Sequence, residues 1–90
     1  MDMVTVVSKI QDRIETIHYS MNVIQPLLRN YKTELDKMGI SDSARKFYSE
    51  RLHYNRGKLT AWQDEIETLV ALRDSMVSEL KDTYALDERA

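Results

Sequence analysis

Two stretches of the chain carry a spacing that can hold a metal: Glu15-Thr-Ile-His18 and Glu50-Arg-Leu-His53. On a helix, a Glu and a His three residues apart point the same way. Helical di-iron carboxylate proteins use that pair on each of two helices, with a lone Glu from each of two others. Their ligands must face the inside of the bundle. On the heptad pattern set out below, Glu15 and His18 fall at positions b and e, and Glu50 and His53 at f and b, all off the core seam. The two pairs are also offset by about 12 residues, or roughly 18 Å, along the paired helices. A single chain cannot bring them together, so a metal site would have to form between subunits. Exposed Glu–His pairs one turn apart are the favoured reading, and no cofactor is expected.

Other catalytic patterns do not emerge. There is no glycine-rich phosphate loop, no Ser/His/Asp set in a plausible pocket and no pair of carboxylates facing a cleft. The sequence leads us to expect a protein that is not an enzyme.

The elements that position these residues are helices. Two glycines and one proline in 90 residues leave little punctuation, and Leu, Ile, Met, Glu, Lys and Arg are plentiful. Apolar residues fall at Met3, Val7, Ile10, Ile14, Ile17, Met21, Ile24, Leu28, Tyr31, Leu35 and Met38, with steps alternating between four and three. This is the seam of a coiled coil. It predicts a first helix over about residues 3–38, a turn at 39–42 opened by Gly39, and a second helix over about 43–84. Ser41, Asp42 and Ser43 can each cap that second helix. Residues 85–90 are expected to fray. The short turn forces the helices antiparallel. The expected fold is therefore all-α: one hairpin domain over 1–90, coiled-coil-like, completed as a four-helix bundle or higher oligomer.

Helix 2 repeats the spacing at Tyr48, Leu52, Asn55, Leu59, Trp62, Ile66, Leu69, Arg73, Met76, Leu80 and Thr83. Pairing the seams about the turn places Met21 beside Trp62, Leu28 beside Asn55 and Ile10 beside Arg73. It also sets Pro26 level with Gly57, both outward, which suggests one bend shared by the two helices. Trp62 is expected in the core. Asn55 is a polar residue on the seam, expected to set register or oligomer state by pairing with its symmetry mate. Arg73 sits near the centre of an apolar stripe with no carboxylate of helix 1 facing it. Its acceptor is expected from another chain, with snorkelling to water as the alternative.

Two surfaces stand out as binding candidates. At the open end Val4, Val6, Val70, Leu72, Val77 and Tyr84 widen the apolar stripe around Arg73, and this is the expected interface with a second copy. At the closed end, residues 29–58 hold eight basic and four acidic side chains, a net charge of +4. Residues 61–90 hold eight acidic and three basic ones, a net charge of −5. The basic tip carries Arg45, Lys46, Arg51, Tyr54, Arg56 and Lys58. It fits an acidic protein surface or, as the second reading, a nucleic acid or phosphate ligand.

The remaining boundaries come from what is missing. Without cysteine there is no disulfide framework. No apolar run approaches the roughly 18 residues of a membrane span, so no membrane partner is expected. The start MDMVTVV lacks a basic region before an apolar core, and Asp2 stands where myristoylation needs glycine. The expectation is a soluble, intracellular protein that binds itself and another protein. By analogy of shape, that suits a phage or bacterial assembly component, an adaptor or an inhibitor.

Overall fold

A computed structural model describes residues 2–89, and the surroundings of side chains from Asp2 to Thr83. The chain forms two helices, α1 (Met3–Leu35) and α2 (Asp42–Arg89), packed against each other along their length as a hairpin. The molecule is a rod of 75 × 20 × 15 Å. No helix is long and apolar enough to cross a membrane among the described residues.

The start of α1 is set by Asp2, whose carboxylate accepts a hydrogen bond of 2.7 Å from the backbone N–H of Thr5. This satisfies one of the donors that a helix start leaves free. The same bond holds the Asp2 carboxyl below its ordinary pKa. At the other end α1 stops three residues short of the expected position 38. Asp36 still donates to the carbonyl of Lys32, but Lys37 turns to the nearer carbonyl of Glu34. That tighter bond ends the helix. Gly39 then takes a φ of 75°, a left-handed conformation that suits glycine. Met38, expected as the last seam residue, therefore lies in the turn and is 100% exposed.

Ser41 is the cap of α2: its side-chain oxygen accepts from the N–H of Ala44, and its carbonyl accepts from Arg45. Asp42 in the first turn faces the positive end of the helix dipole. The helix continues to Arg89, past the expected end at 84, because residues 85–89 contain no glycine or proline to stop it. Ala90 lies outside the described residues.

The core is thin. Among the described residues the buried hydrophobic side chains are Ile10, Ile14, Ile17 and Ile24, all on α1. Their partners on α2, including Leu59, Trp62, Ile66 and Leu69, are only half-buried. Trp62, expected in the core, stands at its edge because one neighbouring helix cannot enclose an indole. Towards the closed end the helices are joined by an aromatic layer, with the rings of Tyr31 and Tyr48 6.2 Å apart and Phe47 edge-on to Tyr48 at 5.2 Å.

Helix α1 runs through Pro26 without interruption. The missing proline N–H leaves the carbonyl of Asn22 without its helical donor, at a place where Asn22 and Pro26 are both exposed to solvent. Gly57 is exposed within α2, and a methyl group added there meets no atom within 4 Å. Glycine inside a helix costs conformational entropy and repays nothing here. Gly57→Ala is therefore expected to raise stability by roughly 0.5–1 kcal/mol in urea denaturation. A loss of stability would show that the chain needs glycine's freedom at this position.

Candidate functional site

The surface between the helices is not uniform. Near mid-hairpin, Tyr19, Ser20, Val23, Ile24 and Leu27 of α1 and Asn55, Lys58 and Trp62 of α2 line an open groove of about 320 Å³. Tyr19, Val23 and Leu27 are four residues apart, so they form one ridge of α1. All three are largely exposed, Tyr19 at 72%. The floor is Ile24 and Asn55, both buried. The groove is mainly apolar, with Ser20, Asn55 and Lys58 as its polar groups.

Asn55 sits where the seam expects an apolar side chain. Its exposure is only 9%, and its amide donates to the carbonyl of Arg51 at 2.8 Å. The amide thus finds an acceptor one turn back on its own helix, without a second chain. None of the buried side-chain polar atoms among the described residues is left unpartnered.

Towards the open end, an ion pair flanks the groove. The guanidinium of Arg13 grips Glu65 with two bonds, Nε to Oε2 at 2.7 Å and Nη2 to Oε1 at 3.1 Å. This fork-on-carboxylate geometry fixes the angle between the groups as well as their distance. The bond to Arg13 pulls the Glu65 carboxyl below its ordinary value, and the same contact raises Arg13. Both groups are exposed, so the pair sets register more than it adds stability.

Arg73 corrects a sequence expectation. Its side chain is 29% exposed, and Nη1 donates to the side-chain oxygen of Gln11 at 2.8 Å, while Nε and Nη2 both reach Asp74 at 3.1 Å. The acceptor expected from another chain is supplied within this one. The acceptor on α1 is the uncharged amide of Gln11. Gln11 in turn donates to Glu15 at 3.3 Å.

The other open-end candidates divide. Val4 and Leu72 are about half exposed, whereas Val6, Val70 and Val77 are half-buried at the edges of the seam. The side chain of Tyr84 lies outside the described residues. At the closed end Arg45, Lys46, Arg51, Tyr54, Arg56 and Lys58 are all exposed. Two of these cations lie over rings, Arg51 at 5.2 Å from Phe47 and Lys58 at 4.7 Å from Tyr54. Glu15, His18, Glu50 and His53 are exposed as well, and no group of three or more His, Asp or Glu able to hold a metal ion occurs among the described residues.

Comparison with family models, with curated proteins and with solved structures returns no significant match.

The Arg13–Glu65 pair makes a signed prediction. A depressed carboxylate contributes stability that is complete above its ordinary value and is lost as pH falls through the depressed one. Wild-type protein should therefore lose more stability than Glu65→Gln on acidification from pH 6 to below pH 4, measured by urea denaturation at each pH. Parallel acid limbs for the two proteins would show that the pair contributes nothing.

Proposed function

We propose that the chain is a non-catalytic helical hairpin that self-associates and acts by protein–protein interaction. The observation that carries this reading is the amount of surface left in water. The chain exposes 6855 Å², against about 5500 Å² expected for a compact monomer of its mass. The excess is apolar in part: Val4, Tyr19, Val23, Leu27, Phe47, Tyr54 and Leu72 each leave about two fifths or more of their area exposed. Such exposure on one small rod favours an interaction surface over a free monomer. A rod of this form suits an assembly component, an adaptor or an inhibitor of a larger machine.

The closed end favours a second reading, binding of a polyanion. Phe47 and Tyr54 present exposed rings beside Arg51 and Lys58, the combination that stacks bases and neutralises phosphates. An intersubunit metal site through Glu15, His18, Glu50 and His53 is a distant third, since each of these residues faces water.

Sedimentation equilibrium with and without single-stranded nucleic acid separates the first two. The first reading predicts a mass of two chains or more at micromolar concentration, unchanged by nucleic acid. A single-chain mass throughout would overturn it. A complex with nucleic acid that weakens steeply with salt, and is lost in the Arg45→Gln, Lys46→Gln, Arg51→Gln, Arg56→Gln variant, would establish the second.

A further inference from the structure

The mid-hairpin groove belongs to a longer face. On α2 the ring contacts Phe47–Arg51 and Tyr54–Lys58 fix four consecutive turns on one side, and Lys58 is also a wall of the groove. Leu72 lies 14 residues beyond Lys58, close to four full turns, so it projects from the same side. Phe47, Tyr54 and Leu72 are all about half exposed. On α1 the ridge of Tyr19, Val23 and Leu27 borders the same groove. This face therefore offers apolar side chains at the closed end, along the groove and at Leu72, with the Arg13–Glu65 ion pair between the groove and Leu72. Val4, Val70 and Val77 lie across the seam from it. Each follows a seam residue by one position, whereas Leu27, Lys58 and Leu72 each precede one.

Charge selects what can cover this face. It runs from the closed end, where residues 29–58 carry a net +4, to residues 61–90 with a net −5. Two copies packed face to face in parallel would set basic tip on basic tip. Packed antiparallel, each tip meets the acidic half of the other copy. The distances agree. Arg51 lies seven residues on the tip side of Lys58 and Glu65 seven on the other, about 10 Å along the axis each way. Both precede a seam residue, Leu52 and Ile66, and so lie on this face.

We propose that this face is a self-interface, on which two copies pack antiparallel about a twofold axis through the groove to complete a four-helix bundle. The proposal rests on the self-association reading and names its surface and direction. It leaves the opposite face, with Val4, Val70 and Val77, free for a different protein.

The test uses the full chain, which has no cysteine to interfere with labelling. A spin label on Ala44→Cys, two heptads from Lys58 on the same side, reports direction. The antiparallel dimer places the two labels about 42 Å apart, twice the offset from the axis, and a parallel dimer brings them within roughly 20 Å. Val23→Asp, at an exposed groove position, should lower the sedimentation mass to one chain at concentrations where the wild type is a dimer. Val70→Asp, across the seam, should leave a dimer. Wild-type protein with a single-chain mass would overturn both this inference and the reading it rests on. A short label distance, or a Val23→Asp protein of undiminished mass, would overturn this inference alone. If Val23→Asp fails to fold, the label distance still decides.

Discussion

A helix packed against a single neighbour can hide only a stripe of itself, and the rest of this structure follows from that limit. Residues at the middle of the stripe are enclosed, as Ile10, Ile14, Ile17 and Ile24 are. Residues one position to either side remain in contact with water. The limit is severe here because the rod is 15 Å across its thin dimension, little more than the 10–12 Å of one helix with its side chains. A third or fourth helix would turn the half-buried flank into core. The chain supplies the side chains for such a flank without supplying the helix.

Much of the architecture could be read from spacing. The alternation of four and three along Met3 to Leu35 is a local signal, and it specifies both the helix and the face it buries. Gly39 and Ser41 gave the turn for equally local reasons. The helix end escaped that reading because Met38 continues the spacing by one step, while backbone hydrogen bonds at Asp36 and Lys37 have already closed the helix. Arg73 escaped because its acceptor across the helices is the Gln11 amide, which leaves no mark in a charge pattern, and its carboxylate partner Asp74 is the next residue on its own helix. The groove escaped for a different reason. Tyr19, Val23 and Leu27 recur at four-residue spacing beside the seam, a visible signal, but a heptad assignment treats each as an isolated exposed residue. Only the placement of Trp62 and Lys58 across from them makes the three a surface.

The polar features sort by what they hold in place. Arg13–Glu65 ties α1 to α2 beside the groove, and Arg73–Gln11 does so on the opposite flank near the open end. Together with the Tyr31–Tyr48 contact they fix the hairpin along its length. Asn55 satisfies its amide on its own helix and leaves the groove floor partly polar. The closed end is different, because Arg51 and Lys58 lie over exposed rings, while Lys37 pairs with Glu34.

The central claim is that one hairpin is an incomplete folding unit, stabilised by association. The most direct test is the thermal midpoint of the wild-type chain, followed by helical circular dichroism over a hundredfold range of concentration. Association that accompanies folding makes the midpoint rise with concentration, here by on the order of 5 °C or more over that range. A midpoint independent of concentration, in protein that sediments as one chain, would contradict the claim and show that the two-helix seam suffices alone.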